Sequence, residues 1–217
     1  LRAPLRAMSG FSQALEEDFG EQLPADAKVF LEQITLASQQ MARLVDGLLL
    51  LSRSTRGTPR RDPIDLTELC DRIRGDLVLT APERAVHWEI ERGMRARGDP
   101  RMVEALLRNL LDNAWKYTSG KSTPTIRVFS ELREGQRFYN VADDDAGFDM
   151  QHAGILFKPF QRLHRQEEFP GIGVGLATVQ RIVHRHGGQI YANAARGTGA
   201  TFSFSLHPGA KPELEAA

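Results

Sequence analysis

The sequence predicts an α+β protein in two parts: an N-terminal helical hairpin, then an α/β sandwich with a mostly antiparallel sheet. Three observations carry this. Apolar residues recur at helical spacing through roughly the first 55 residues. A polar stretch with Gly57, Pro59 and Pro63 then breaks the pattern. Beyond it, helical periodicity alternates with short runs of period two.

The hairpin comes first. "LRAPLRAMSGF" is helical in pattern, with Leu1, Leu5, Met8, Leu15 and Phe19 on one stripe. "FGEQLPAD" turns the chain at Gly20 and Pro24. In the second helix Ala27, Phe30, Ile34, Ala37, Met41, Leu44, Leu48 and Leu51 keep a heptad, and Leu31, Val45 and Leu49 widen it. Two helices cannot cover so wide an apolar seam. It predicts a dimeric four-helix bundle, the alternative being packing on the chain's own C-terminal domain. The hairpin is assigned to 1–56, a linker to 57–64, the sandwich to 65–208 and a tail to 209–217.

In the sandwich, Asp65 with Glu68 three residues on forms a variant capping box, and a helix follows to about Leu79. "AVHWEI" alternates as a strand. "DPRMVEALLRNLLDNAWKYT" is a helix, capped by Asp99, with Pro100 in its first turn. "TIRVFSEL" and "RFYNVA" pair around Arg133-Glu134-Gly135-Gln136. Asp144 to Gly173 reads as a long irregular segment, of the kind that forms a lid. A last helix, "GLATVQRIVHRHGG", ends at Gly187 and Gly188. "QIYANA" and "ATFSFSL" close the sheet around "ARGTG".

Composition excludes several functions. Hydrophobic content is 41%, charged content 26%, and formal net charge zero, so nothing favours nucleic acid or an anionic membrane as partner. Cys70 is the only cysteine, which rules out an internal disulfide or a cysteine zinc cluster and suits a reducing, cytoplasmic setting. No apolar run approaches the roughly 20 residues of a membrane span, and no signal peptide is evident.

Three patterns carry chemistry. Asn109, Asn113 and Lys116 share one helix face. An asparagine carbonyl suits Mg²⁺, a hard ion that takes oxygen ligands, and a lysine suits phosphate. Taken alone, this face reads as solvated surface. In "DDDAGFD" an aspartate at a strand end, Asp143, can accept a hydrogen bond from the exocyclic amine of adenine, and Gly147 allows close backbone approach. Taken alone, it is an acidic turn. "GIGVGLATV" sets Gly171, Gly173 and Gly175 before a helix N-terminus, a phosphate-binding arrangement that is neither a P-loop nor a dinucleotide fingerprint.

In order, the asparagine helix, the Asp-to-Gly turn, "FKPFQRLH", "GIGVGL" and "GTGATF" resemble the ATP-binding domain of bacterial sensor histidine kinases, within the ATPase family shared with gyrase, Hsp90 and MutL. "LRAPLRAMSGF" with its heptad hairpin resembles their dimerisation and phosphotransfer domain, and the wording is close to phytochrome-associated kinases. The resemblance implies an ATP site, with Mg²⁺ on Asn113, built from Asn109, Asn113, Lys116, Tyr117, Asp143, Gly147, Phe160, Arg162, Gly171, Gly173, Val174, Gly175, Leu176 and Thr201. Phe157 belongs to the same phenylalanine box as Phe160 and Arg162, and Gly197 and Gly199 to the last glycine turn. It also implies a homodimer through the hairpin, an upstream sensor domain, a response-regulator receiver as partner, and transfer of phosphate to its aspartate.

The match departs from the family in three places. The phosphoacceptor histidine and its acidic neighbour stand immediately before the segment that begins at Leu1, so both are expected outside this chain; none of His87, His152, His164, His184, His186 and His207 replaces it, each reading as a surface or packing residue. Asp145 stands where the family has the first glycine of Asp-x-Gly-x-Gly; aspartate tolerates left-handed backbone, but its bulk and charge predict weakened ATP binding. Ala3 occupies the position from which some relatives dephosphorylate their partner. A degenerate kinase serving as a dimeric scaffold or docking module is the alternative reading. A gyrase-like ATPase is disfavoured, because such enzymes carry glutamate where Asn109 stands.

Overall fold

The computed structural model describes residues 2–24, 26–38, 41, 59–161 and 173–207. Helix α1 spans Arg2–Phe19. Gly20 ends it: a Cβ there would sit 2.3 Å from the Glu16 carbonyl oxygen. The amides of Gln22 and Leu23 then donate to Phe19 O, and those of Ala27 and Lys28 to Pro24 O as helix α2 (26–38) begins. Small polar Ser12 and Ser38 are buried, whereas Phe11 is 72% and Phe30 65% exposed, with Leu15, Phe19 and Ile34 also open. The rest of the heptad, Leu44, Val45, Leu48, Leu49 and Leu51, lies outside the described residues.

The second part is a layer of helices on a five-stranded sheet. Asp62–Asp65 (β1) pairs antiparallel with Arg95–Gly98 (β3). The sequence reading places 62–64 in the linker and has no strand at 95–98, so the sandwich begins earlier than expected; Pro63 and the paired charges hide the pattern. Helix α3 (Leu66–Thr80) starts as expected, the Asp65 carboxylate accepting from the Glu68 amide at 2.9 Å. Strand β2 (His87–Ile90) runs parallel to β4 (Thr125–Arg133), the sheet's one parallel pair. Helix α4 (Pro100–Tyr117) has Pro100 in its first turn and the Asp99 carboxylate capping the amides of Arg101 and Met102. Strand β5 (Gln136–Asp143) returns through Glu134 (φ 48°) and Gly135 (φ 75°), the two left-handed residues of a type I′ hairpin. A 3₁₀ helix at Met150–Ile155 occupies part of the segment read as irregular. Then come α5 (Gly175–Arg185), β6 (Ile190–Ala195) and β7 (Gly199–Phe204), in the sheet order β2-β4-β5-β7-β6.

One face of α4, Val103, Leu106, Leu107, Leu110, Leu111 and Ala114, is at most 2% exposed. It fills the core between α3, α5 and the sheet residues Ile126, Val128, Val141, Phe202 and Phe204. Burial of each such side chain contributes about 1.5–3 kcal/mol, which fixes the axis of α4 and hence its outer face. At its C-terminal end Trp115 stacks on Trp88 with centroids 6.1 Å apart. Arg84 lies 4.4 Å above the Trp115 ring and donates to Trp115 O and to Thr118 Oγ1, which anchors the end of the helix.

Candidate functional site

Asn109 Nδ2 donates to Ala105 O at 2.7 Å, and its Oδ1 stands 2.7 Å from where a Cβ on Gly175 would be. A larger residue at the start of α5 would push the Asn109 side chain aside, so the asparagine face of α4 and the glycine turn are in contact. Asn113 is half-buried, four residues further along α4. Lys116 Nζ lies 4.0 Å from the Tyr117 ring centroid. Among the described residues Lys116 has no ion pair and the Asn113 amide no hydrogen bond.

Asp143 ends β5 in register with Ile126, whose side chain is in the core, so its carboxylate is on the helix-bearing face. Oδ1 accepts from the Ala200 amide at 3.2 Å, and the Asp145 amide also donates to the carboxylate. Burial pushes this acid up to about 6; the two amides oppose that, and the charges of Asp144 and Asp145 add to it. Burial acts on Asp144 in the same direction, but Lys121 Nζ at 2.8 Å from Oδ2 and the Thr125 amide at 2.9 Å from Oδ1 outweigh it and hold Asp144 below the usual carboxylate range.

The loop after Asp143 rests on the β6–β7 turn. The Gly197 amide donates to Ala146 O at 2.8 Å. Gly147 has φ +56°, and a Cβ on it would lie 2.0 Å from Ala195 O. Gly199 has φ +100°, and its Cβ would lie 2.0 Å from Asp143 O. Asp145 differs from the expectation of left-handed tolerance: the only non-glycine residues with positive φ among those described are Glu134 and Phe160. An aspartate therefore fits this backbone without strain. Its Oδ2 points toward Gly120, 3.6 Å from that residue's would-be Cβ. Burial lowers the pKa of Arg84, and the charge of Asp145 partly restores it.

Thr201 does not join the site. It pairs in register with Ala142 on the sheet face away from the helices, because Ala200 and Phe202 on either side of it are buried in the core. The neighbour of Asp143 is Ala200, through its backbone amide. Strict alternation along "ATFSF" carries that signal. Phe160 (φ +65°) is exposed, and its amide donates to Gly173 O at 2.8 Å, so the two ends of the intervening segment meet. Arg162 and Gly171 lie outside the described residues. Val174 precedes α5 and accepts from Thr178, and Leu176 packs against the core. The structure thus brings Asn109 to Gly175, and Asp143 with its loop to Ala200 and the β6–β7 turn, the Asp143 carboxylate being on the helix-bearing face of the sheet.

The family model for the His Kinase A (phospho-acceptor) domain matches residues 1–57. That for the histidine kinase-, DNA gyrase B- and HSP90-like ATPase matches residues 98–210. The chain belongs to the sensor histidine kinase family. The chain is 30% identical over 206 residues to the phytochrome-like protein Cph1 of Synechocystis, covering 95% of this chain and 27% of that protein. It is 32% identical over 204 residues to the sensor histidine kinase TrcS of Mycobacterium tuberculosis, covering 91% of this chain and 40% of TrcS. The chain therefore spans well under half the length of these relatives. Among solved structures, full-length ShkA in complex with AMPPNP matches the whole chain and 46% of its own at TM-score 0.68 and 22% identity, a likeness of fold. The mycobacterial sensor histidine kinase MprB matches at TM-score 0.56 and 25% identity, covering 68% of this chain and 99% of its own. No described helix of the chain is long and apolar enough to cross a membrane.

Proposed function

We propose that this chain is the catalytic core of a cytoplasmic sensor kinase that binds Mg-ATP and passes its γ-phosphoryl group to a histidine immediately N-terminal to Leu1 in the intact protein, and thence to an aspartate of a response-regulator receiver domain. The observation that carries this reading is the contact of Asn109 with Gly175 on the same side of the sheet as the Asp143 carboxylate. An acceptor for the exocyclic amine of adenine and a glycine turn for phosphate then flank one asparagine face. The ATP analogue bound to ShkA supports the same reading.

The residues present suit the nucleotide and its metal. Asp143, an anion at neutral pH, accepts the adenine amine. Lys116 offers a charge to phosphate. Among the described residues no group of three or more His, Cys, Asp and Glu could hold a metal by itself. Mg²⁺ would be held through Asn113 Oδ1 together with phosphate oxygens and water, where it would neutralise charge on the transferring group. The protein's part is positioning and charge complementarity. An upstream sensor domain sets the activity. The exposed apolar stripe of Phe11, Leu15, Phe30 and Ile34 is the dimer seam.

Asp145 favours the second reading, a degenerate kinase whose dimeric hairpin docks a partner, because its charge raises Asp143 and adds repulsion near an anionic ligand. Titration calorimetry with Mg-ATP separates the two. The wild-type chain is expected to bind weakly and Asp145→Gly several-fold tighter, with Asp143→Asn losing affinity. Equal affinity for wild type and Asp145→Gly refutes the role of Asp145; no binding to either refutes the first reading.

A further inference from the structure

His186 is 4% exposed and joins the far ends of the two helices that carry the site. Its Nε2 accepts the Asp99 amide at 3.0 Å, and its Nδ1 faces Ile182 O at 2.8 Å. Nε2 thus carries no proton and Nδ1 carries one: the ring is neutral in a single tautomer. Asp99 is the N-cap of α4, and His186 is the C-cap of α5. The space is cut to the ring, since a Cβ on Gly98 would lie 3.1 Å from Nε2. The tie matters because the asparagine face of α4 and the glycine start of α5 meet with no slack, at the Asn109–Gly175 contact.

Both ring nitrogens are engaged, Nε2 as acceptor and Nδ1 as donor, so the hydrogen bonds leave no place for a second proton. The charges of Arg61 and Arg97 act on His207, which in turn neighbours His186. The nearest acid, Asp99, already caps Arg101 and Met102 with Oδ1 and accepts the Arg60 amide at Oδ2. A protonated imidazole would convert the Nε2 acceptor into a donor facing another donor, the Asp99 amide.

We propose that neutral His186 is a positioning residue for the nucleotide site, and that its protonation releases the start of α4 from the end of α5 and loosens the Asn109–Gly175 contact. The proposal rests on the nucleotide reading above for its effect on binding, and on the hydrogen bonds alone for its effect on the helices. His186→Gln keeps an acceptor without a titrating ring; His186→Phe removes the acceptor at every pH. Two readouts are taken on the whole chain between pH 7.5 and 5.5. The first is hydrogen exchange at the Asp99 amide, corrected for intrinsic rate. The second is the ratio of Mg-ATP dissociation constants, wild type over His186→Gln, in which the titrations of Asp143 and of ATP itself cancel. Protection of the Asp99 amide is expected to fall several-fold, toward the roughly tenfold limit for one imidazole proton over this range, on acidification in wild type, to stay level in His186→Gln and to be low throughout in His186→Phe. The affinity ratio is expected to rise at least threefold. Superimposable exchange profiles for wild type and His186→Gln overturn the proposal even if nucleotide never binds, and a level ratio with measurable binding overturns the link to the site. Absence of nucleotide binding with the expected exchange pattern overturns the nucleotide reading and leaves the tie supported.

Discussion

Gly147→Ala tests whether the acidic loop is held by the β6–β7 turn. Gly147 combines φ +56° with a Cβ position 2.0 Å from Ala195 O, 2.8 Å from Gly199 O and 2.9 Å from the Ala195 carbonyl carbon. An L-residue in left-handed backbone costs about 1–2 kcal/mol. A contact this short with backbone atoms adds the overpacking cost, about 1–3 kcal/mol, because neither β6 nor β7 can shift without breaking the pairing between them. The expected loss is about 4 kcal/mol, a large share of the 5–15 kcal/mol that holds a typical domain together. In a chain of this size it corresponds to a fall in Tm of roughly 10 °C. Gly135→Ala is the control: φ is +75°, but nothing lies within 4 Å of its Cβ, so only the backbone term of about 1 kcal/mol remains. Thermal melts of the three proteins followed by circular dichroism measure the difference. If Gly147→Ala melts within about 2 °C of Gly135→Ala, the loop does not rest on the turn, and the close approach of Gly147 to Ala195 is wrong.

Nucleotide affinity is expected to fall as pH drops through about 6, where the Asp143 carboxylate takes a proton and loses its charge and part of its acceptor capacity, and Asp143→Asn should lack that transition. The same group acts on folding with the opposite sign. Its folded pKa is raised, so its contribution to stability grows as pH falls from about 6 toward its unfolded value near 4, which denaturant titrations of the two proteins resolve. Gly175→Ala should displace Asn109 from Ala105 O and cost about 1–2 kcal/mol in stability together with a loss of Mg-ATP affinity by calorimetry. Phe30→Asp should convert a particle of twice 24.2 kDa to a single chain in light scattering if the hairpin seam is the dimer interface. Cys70, wholly buried and with its thiol pushed up to about 12 by burial and then by Asp71, should resist thiol reagents until the domain unfolds.

Helices were the legible part of this sequence. α3, α4 and α5 each carry a wide apolar stripe, and their caps, Asp65, Asp99 and the Gly187–Gly188 stop, are local chemistry that a short window contains. β4 and β5 were legible for the same reason, through alternation and a turn. β1 and β3 were not: they are four residues each, carry charge at half of their positions and pair only with each other, across thirty residues of chain. In the site, the glycines could be found from spacing, but their reasons could not. Gly175 is small because of Asn109, and Gly147 because of Ala195, contacts that no local pattern encodes. Thr201 shows the converse, a residue whose type suits the chemistry but whose parity along β7 turns it away. Asp145, where the sequence reading predicts a cost of bulk and charge, stands on backbone that needs no positive φ, which no local pattern could tell.

Both tryptophans of the chain are in the Trp88–Trp115 stack, and Trp115 immediately precedes Lys116 and Tyr117 on α4. Intrinsic emission excited at the red edge of absorption therefore comes from one spot, with no background from elsewhere in the polypeptide. The protein has a built-in optical gauge at the end of the helix where ligand would press, and an unlabelled titration can be read from it directly.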